Sequence, residues 1–419
     1  METRYDYVLV GGGPTSVWAA QNIRERDKEG KVAIFGDEKH PPYDRPPLSK
    51  NYLADDNYTA DDAYSKFDDF YPKNQIELHT ATRVTAIDRA AQTITLEGGK
   101  TIGYGKLLLA TGSRPNPLGV PGADKMGVFL LRHIEDSEAI RQAMQVSKRV
   151  VIVGAGYIGM EVAADAVGRG LDVTVVEPQS HPWARFASAK LGQFLQRYYE
   201  AKGVRFVFGD AVSAIEGETA TGSHLTVVTK GGQRLDADFV VVGVGVTLNT
   251  ELAQEAGLEV DPKEGVFVNE HLKTSDPNIW AAGDIAYFQD PLLGKRWHAE
   301  HHLNAKWQGQ TVGANMAGEE KPYARVAYFF SDELDIHMIL RGDPQGGKNT
   351  VITGDVDGAE FTELYYDDAG VLTMGISISH EEKKLDPLSD TLERLIEAKV
   401  NIKGREAEIQ AAGFDLNTL

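Results

Sequence analysis

Two stretches of the chain share one order of apolar and polar positions. In residues 5–38 an apolar run, VLV, leads into the glycine-rich turn GGGPTS, a helical pattern, a second apolar run and an acidic end. Residues 148–177 repeat that order, beginning with the run VVIV. Continuous apolar runs are typical of parallel strands that are buried on both faces. The pattern therefore predicts two strand–helix–strand units and, because they lie far apart, two nucleotide-binding domains.

The rest of the chain has the pattern of shorter strands with a few helices. Between about residues 65 and 109 the alternation of apolar and polar positions predicts meandering strands, and after about residue 325 short apolar runs separated by Gly or Asp turns predict an antiparallel sheet. Three further strands are predicted at 204–208, 224–229 and 238–246, and two helices near 386–399 and 404–412. The predicted fold class is α/β, with two Rossmann-like dinucleotide-binding domains and a C-terminal α+β domain.

Size and charge narrow the classes of protein to consider. A chain of 419 residues is too long for one ordinary core, so two or three domains are expected. The net charge of −19 argues against nucleic acid as a partner, because phosphate binding needs a basic surface. No apolar run has the length that a bilayer requires, and the N-terminal METRYDYVLVGGG does not have the pattern of a signal peptide. The expected location is the cytoplasm, with no membrane span.

The sequence contains no cysteine. That excludes disulfides, thiolate metal ligands, cysteine nucleophiles and every dithiol relay within the chain.

The first glycine-rich turn has the features of a phosphate-binding loop. Gly11 permits the tight turn, and Gly13 lets the backbone approach a pyrophosphate at the helix N-terminus. The third position of the motif is Ser16 instead of Gly. Asp37 and Glu38 end the second strand, where a carboxylate can accept hydrogen bonds from ribose hydroxyls.

The second turn, GAGYIGME, has all three glycines, Gly154, Gly156 and Gly159. Glu177 ends the strand that follows, where its carboxylate would bind a ribose 2′-hydroxyl and repel a 2′-phosphate. We therefore expect NADH to be preferred over NADPH. Two dinucleotide sites in one chain indicate one bound flavin and one exchanging nicotinamide.

Further motifs resemble those of one superfamily over nearly the whole chain. They are PYDRPPLSK (42–50), LLLATGSRP (107–115), IWAAGD (279–284) and FFSDEL (329–334). With the two strand–helix–strand units, they resemble the flavoproteins with two dinucleotide sites that include glutathione reductase. PYDRPPLSK is similar to the branch of ferredoxin reductases and apoptosis-inducing factor, and EHH followed by GANMAGEEKPY (313–323) is most similar to apoptosis-inducing factor.

The resemblance implies a division into three domains. Residues 1–114 and 247–325 would form the FAD-binding domain, residues 115–246 the NAD-binding domain, and residues 326–419 the C-terminal α+β domain.

The resemblance also assigns residues to each cofactor. Those expected at FAD are Gly11, Gly12, Gly13, Pro14, Thr15, Asp37, Glu38, Arg45, Lys50, Val84, Ala110, Thr111, Gly112, Arg132, Gly283 and Asp284. Those expected at NAD are Gly154, Gly156, Tyr157, Ile158, Gly159, Glu177 and Gly245, together with Phe330, for which core packing is the alternative. Lys50 and Glu161 would meet beside the flavin and act as the catalytic pair, orienting the nicotinamide and tuning the redox centre.

The resemblance leaves the electron acceptor open. A ferredoxin or another one-electron acceptor is the first expectation. A redox-sensing protein like apoptosis-inducing factor, with slow NADH oxidation, and a reductase of quinones or small molecules are the alternatives. A homodimer is also left open.

The segment WHAEHHLN (297–304) raises a different question. Three histidines and Glu300 lie at a spacing that could bind zinc or iron on a helix. The segment follows IWAAGD closely, however, at the place where the resembling family meets the isoalloxazine. We therefore expect no metal, with His301 and His302 at the flavin edge and Glu300 and His301 beside the nicotinamide.

Overall fold

The computed structural model describes residues 3–66, 69–218 and 224–419. In chain order the described strands are β1 (Arg4–Val10), β2 (Val32–Phe35), β3 (Ile76–His79), β4 (Val84–Asp88), β5 (Thr93–Leu96), β6 (Thr101–Leu109), β7 (Ser113–Pro115), β8 (Val128–Phe129), β9 (Arg149–Val153), β10 (Asp172–Glu177), β11 (Arg205–Phe208), β12 (Val212–Glu218), β13 (His224–Thr229), β14 (Arg234–Ala237), β15 (Phe239–Val242), β16 (Val246–Leu248), β17 (Val260–Asp261), β18 (Gly265–Val268), β19 (Ile279–Ala281), β20 (Ala286–Asp290), β21 (Lys295–Trp297), β22 (Tyr328–Glu333), β23 (Ile336–Gly342), β24 (Asn349–Asp355), β25 (Glu360–Tyr366) and β26 (Leu372–Ser379).

The described α-helices are α1 (Pro14–Arg26), α2 (Asn51–Ala54), α3 (Ala60–Ala63), α4 (Phe70–Lys73), α5 (Ile134–Val146), α6 (Tyr157–Gly168), α7 (Ala189–Ala201), α8 (Glu251–Glu255), α9 (His302–Met316), α10 (Glu382–Glu397) and α11 (Glu406–Ile409). Short 3₁₀ helices span Pro46–Ser49 and Leu416–Thr418. None of the helices in the described ranges has the length and apolar character needed to cross a bilayer.

The chain divides into two compact units, and neither is continuous in sequence. The first unit comprises Met1–Arg45, Thr59–Arg114 and Val246–Arg325, and the second comprises Pro46–Tyr58, Pro115–Gly245 and Val326–Leu419. Residues 46–58 thus belong to the second unit, together with the predicted NAD-binding and C-terminal domains. The three-domain division stays a prediction.

The first unit is built around a mixed sheet with the strand order β3-β2-β1-β6-β5-β4, and β19 also pairs with β6. The pairs β1–β2, β1–β6, β2–β3 and β6–β19 are parallel, and β4–β5–β6 is antiparallel. The apolar run in β1 and all of β2 are buried, as expected for parallel strands covered on both faces. A second sheet, β17-β18-β20-β21, completes this unit.

The second unit contains a parallel sheet with the order β11-β10-β9-β15-β8 and a three-stranded antiparallel sheet, β12-β13-β14. Its C-terminal part is the antiparallel sheet β22-β23-β26-β25-β24, on which α10 packs through apolar side chains such as Leu392 and Leu395. The predicted fold class is confirmed. Three element predictions need correction. Residues 238–246 are not one strand, because β15 ends at Val242 and Gly243–Gly245 separate it from β16. The helix α10 begins earlier than predicted, at Glu382, and the helix predicted near 404–412 is only the four-residue α11, Glu406–Ile409.

Helices α1 and α9 pack so closely that their backbones nearly touch. A β-carbon placed on Gly309 would lie 2.5 Å from the carbonyl oxygen of Thr15, and one on Gly313 would lie 2.3 Å from that of Ala19. These glycines let α9 cover the same helix whose N-terminus follows the first glycine-rich turn.

Replacing Gly309 with alanine is expected to lower the free energy of unfolding by about 2–3 kcal/mol, because the added methyl group collides with a fixed carbonyl group. Gly168→Ala in α6 is the matched control, since a β-carbon there meets no atom within 4 Å. Denaturant unfolding monitored by circular dichroism measures both. Equal stability of the two variants would contradict the close packing of α1 and α9.

Candidate functional site

The turn between β1 and α1 is shaped by close backbone contacts. Gly11 has φ of 126°, and a β-carbon on it would lie 2.1 Å from the carbonyl oxygen of Ala110 at the end of β6. Gly13 is different: a β-carbon on it would meet no atom within 4 Å. The turn therefore has no room for a side chain where Gly11 faces the sheet, but it has open space in front of Gly13 at the start of α1.

The turn between β9 and α6 repeats this arrangement in the second unit. Gly154 has φ of 105°, and its β-carbon would lie 2.3 Å from the oxygen of Gly243. A β-carbon on Gly159 would lie 2.0 Å from the oxygen of Gly154. Gly156, at the N-cap, again has open space in front of it.

Both helix N-termini are suited to bind anions. Gly13 and Gly156 are the N-caps and have no side chain to cap the first-turn N–H groups, and neither first turn contains an acidic residue. The helices have 13 and 12 residues, long enough for a substantial helix dipole. Ile158, in the first turn of α6, is partly exposed. First-turn N–H groups without a side-chain cap, positive dipole ends and open space together provide two phosphate-binding cradles.

Two acidic residues, Asp37 and Glu38, follow the end of β2, and Glu38 is held by an arginine. Arg45 donates to Glu38 over 2.7 Å, and the hydroxyl of Tyr43 donates to the other oxygen of Glu38 over 2.5 Å. Asp37 is exposed beside them. Three of the predicted FAD residues therefore lie together at the carboxyl edge of the first sheet.

The acidic end of β10 braces the second glycine-rich turn. One oxygen of Glu177 accepts the N–H of Ala155 over 2.8 Å, and the other accepts the N–H of Gln179 over 2.9 Å. Both oxygens are thereby fixed, so the negative charge has a defined position beside the cradle at α6.

The chain following β6 and β19 joins the first cradle. A β-carbon on Gly283 would lie 2.7 Å from the hydroxyl oxygen of Thr15, so the IWAAGD segment reaches the start of α1. Asp284 accepts from the hydroxyl of Ser113 over 2.8 Å. The hydroxyl of Thr111 donates to the carbonyl of Asn249 over 2.5 Å. Sequence segments far apart in the chain are thus held at one edge of the first sheet.

The two histidines at the start of α9 are half-buried. His301 is the N-cap and His302 the first helical residue. Burial lowers the pKa of His301 to about 4, against the opposing charge of Asp284, so this ring is neutral at physiological pH. Burial also lowers the pKa of His302, whose Nε2 lies 4.0 Å from Asp44.

The third histidine of the segment has a different role. His298 lies between two carboxylates, with Nδ1 3.1 Å from Glu264 and Nε2 3.2 Å from Glu300. Burial opposes its protonation, but the two carboxylates outweigh burial and raise its pKa. Within the described ranges no three or more His, Asp or Glu side chains are grouped to hold a metal ion.

Lys50 and Glu161 meet in the second unit. The Nζ of Lys50 contacts Oε1 of Glu161, and both side chains are nearly buried. Glu161 also accepts from the hydroxyls of Ser49 over 2.5 Å and of Ser331 over 2.8 Å. The carboxylate is therefore surrounded by donors, which offsets the cost of burying its charge.

The segment that carries Lys50 is anchored within the second unit. The hydroxyl of Ser137 donates to the carbonyl of Leu48 over 2.6 Å, and Arg169 donates to the carbonyl of Leu53 over 2.7 Å. Arg141 donates to the carbonyl of Tyr58 over 2.7 Å. These bonds from α5 and the end of α6 fix the backbone on both sides of Lys50.

An aromatic cluster lies at the start of α6. The ring of Tyr157 packs on Phe329 and Phe186, with ring centroids 3.9 and 4.4 Å away, and Trp183 lies 5.0 Å away. Phe330, the residue predicted to stack near the nicotinamide, instead has its ring near Tyr328, at 6.2 Å. Its role at the cofactor stays a prediction.

The remaining predicted residues lie apart from these clusters. Val84 begins β4 and is half-buried, and Arg132 is half-buried just before α5. Gly245 accepts from the N–H of Asn116 over 2.9 Å, and a β-carbon on it would lie 3.5 Å from the guanidinium of Arg185. The roles assigned to these residues stay predictions.

Several polar residues around Lys50 and Glu161 were not predicted from the sequence. Ser49, Tyr199, Ser331 and Glu333 are buried, and Asp165 is half-buried with its Oδ2 atom buried. Ser49, Ser331 and Glu333 lie inside the recognised motifs PYDRPPLSK and FFSDEL, which is a signal that could have identified them. Tyr199 lies in the last turn of α7, where an aromatic residue is typical of the hydrophobic core.

Comparison with known proteins identifies a family model and similar chains. The model described as pyridine nucleotide-disulphide oxidoreductase matches residues 5–309. The chain is 36% identical over 356 residues to the ferredoxin–NAD(+) reductase component of an anthranilate 1,2-dioxygenase system from Burkholderia cepacia, covering 85% of this chain and 86% of the relative.

Solved structures agree with this similarity. The ferredoxin reductase for the CYP199A2 system from Rhodopseudomonas palustris has a TM-score of 0.90 and 34% identity, with 99% of each chain covered. A covalent complex of putidaredoxin reductase with putidaredoxin gives a TM-score of 0.88 and 31% identity, covering 96% of this chain and 94% of that one.

Proposed function

Because the chain belongs to the pyridine nucleotide-disulphide oxidoreductase family, we propose that it is an FAD-dependent NADH oxidoreductase that delivers electrons to a ferredoxin-type iron–sulfur protein. The observation that carries the proposal is the pair of open cradles at the starts of α1 and α6. The names of the similar proteins, ferredoxin reductases, support the choice of acceptor. A cytoplasmic location is proposed with this function.

The residues present fit both cofactors. In the first unit, Gly13 offers space for a pyrophosphate, and the acidic end of β2 offers carboxylates for ribose hydroxyls. In the second unit, Gly156 and Glu177 offer the same two features for a nicotinamide dinucleotide. We assign FAD to the first cradle, because His301 and His302, two half-buried histidines whose pKa is lowered by desolvation, border that unit's site.

The chain's own residues perform the remaining tasks. The chemistry that a bound FAD would supply is acceptance of a hydride from NADH and transfer of single electrons to the partner. Lys50 would hold a positive charge where negative charge develops, and Glu161 would fix its position. Because the chain has no cysteine, electrons reach the partner without a dithiol in this chain.

Lys50→Met is expected to slow flavin bleaching by NADH by about tenfold or more, because it removes the charge but keeps most of the apolar stem. Stopped-flow absorbance under anaerobic conditions measures this. Lys202→Met is the matched control: its lysine pairs with Asp335 and is well exposed, so its rate should equal that of the wild type. Equal rates for all three proteins would remove Lys50 from the proposal.

NADH is expected to exceed NADPH in kcat/KM by about tenfold or more, because the fixed carboxylate of Glu177 repels a 2′-phosphate. Steady-state assays with both nucleotides give the ratio. In Glu177→Gln the ratio should shrink, since the amide removes the negative charge. A wild-type preference for NADPH would contradict the assigned role of Glu177.

The acceptor is tested by supplying NADH to the purified holoprotein with putidaredoxin, a soluble quinone or oxygen in parallel. We expect the highest kcat/KM with the iron–sulfur protein. Lys50→Met serves as the control in each arm, because a rate that depends on the proposed site must fall with it. Slow turnover with every acceptor, together with a long-lived charge-transfer band, would favour a redox-sensing protein instead, and fastest turnover with quinone would favour a quinone reductase.

A further inference from the structure

A line of buried hydrogen-bonding groups continues beyond the Lys50–Glu161 pair. Ser331 and Glu333 lie two residues apart on β22, so their side chains point to the same face of the strand. Both are buried, with 0% and 1% exposure. The Ser331 hydroxyl oxygen lies 2.8 Å from Glu161 and 3.0 Å from Glu333. The hydroxyl of Tyr199 donates to the other oxygen of Glu333 over 2.5 Å.

The number of protons available to these hydrogen bonds limits which carboxylates can be ionised at the same time. A serine hydroxyl has one proton, so Ser331 can donate to Glu161 or to Glu333, but not to both. If both carboxylates are ionised, one of the two contacts is between oxygen atoms without a proton. If Glu333 is protonated, it donates to Ser331, which donates to Glu161, and each contact has its proton. The geometry therefore favours a proton on Glu333.

The charges that face Glu333 act in the same direction. Glu161 and Asp165 project from α6, and the cations that act on these carboxylates are Lys50 and, at Asp165, also Arg169. Tyr157 and Tyr199, from α6 and α7, also face the group. Burial and then the charge of Glu161 raise the pKa of Glu333 to about 7, against the hydrogen bond from Tyr199 and the charge of Lys50. Burial and Glu161 also raise the pKa of Asp165.

We propose that Glu333 is a positioning residue that stores a proton beside the Lys50–Glu161 pair and, through Ser331, sets the charge that surrounds Lys50. The inference rests on the proposed function, because it assigns a regulator to that site. When Glu333 is protonated, Ser331 donates to Glu161 and the pair is neutral as a whole. When Glu333 releases its proton to solvent, a second negative charge faces Lys50 and Ser331 is drawn away from Glu161.

The rate of flavin bleaching by NADH reports this change. In the wild-type holoprotein the rate should fall about fivefold from about pH 5.5 to about pH 9, with a midpoint near neutrality, because added negative charge opposes hydride arrival. Glu333→Gln should keep the low-pH rate throughout, since its amide donates to Ser331 and accepts from Tyr199. Tyr199→Phe should move the midpoint upward, because the ionised carboxylate loses a donor.

Glu363→Gln is the matched control. Glu363 is also fully buried and accepts hydrogen bonds from a serine, Ser188, and a tyrosine, Tyr365, each over 2.7 Å. Its replacement should leave the wild-type midpoint in place. Asp165→Asn tests the half-buried acid of α6 whose pKa is also raised. A transition that persists in Glu333→Gln, or that disappears in Asp165→Asn instead, overturns the proposal.

Thermal unfolding of the holoprotein is a readout that does not depend on turnover. An acid whose folded pKa is raised stabilises the fold while it is protonated, so this contribution is lost as pH rises from the unfolded value of 4.5 to about 7. The melting temperature of Glu333→Gln minus that of the wild type should therefore grow across this window and then level off. A constant difference contradicts proton storage at Glu333.

The results separate the two proposals. Suppose that Lys50→Met slows bleaching, but that Glu333→Gln has the wild-type pH dependence of both the bleaching rate and the melting temperature. Proton storage at Glu333 is then contradicted, and the proposed function stands. If Glu333→Gln changes the melting difference as expected while Lys50→Met bleaches at the wild-type rate, proton storage is supported and the catalytic role of Lys50 fails.

Discussion

Backbone atoms approach each other at a few glycines, and the positions of both cradles depend on these approaches. Gly11 lies against the end of β6, Gly154 against Gly243 beyond β15, and Gly309 of α9 against α1. A methyl group at any of these places would push a helix away from a strand end or from its neighbouring helix. Because each helix starts at the carboxyl ends of neighbouring parallel strands, its N–H groups point to the edge where the acidic residues also lie. The open space at Gly13 and Gly156 can receive a phosphate only because the close backbone contacts at Gly11 and Gly154 hold each turn in place.

Burying charge is the second constraint. The second unit places one lysine among three carboxylates at little exposure to solvent. Such a cluster is stable when each buried charge has an opposite charge or a hydrogen-bond donor beside it. The hydroxyls of Ser49, Ser331 and Tyr199 are such donors to the buried carboxylates. The lysine comes from a segment whose backbone is tied by side chains of α5 and α6, so its position is set by the second unit.

Sequence patterns predicted the elements whose formation depends on neighbouring residues in the chain. The apolar runs identified β1 and β9, the glycine spacing identified the starts of α1 and α6, and the Gly and Asp turns identified the C-terminal sheet. The recognised motifs also predicted that Lys50 and Glu161 meet, and the two side chains are in contact. Tyr199 and Glu333 were missed because their partnership joins α7 to β22, and no periodicity in either element indicates the other. The break within 238–246 was missed because an apolar run does not show where its backbone turns.

The interleaving of the two units has a consequence for how the chain is made. The chain passes from one unit to the other after residues 45, 58, 114, 245 and 325. Helix α1 leaves the ribosome long before α9, which packs on it at Gly309, because α1 ends at Arg26 and α9 begins only at His302. An N-terminal fragment therefore exposes a face of α1 that nothing yet covers. We expect the nascent chain to depend on chaperones until α9 emerges, and neither unit to be obtainable as a contiguous fragment.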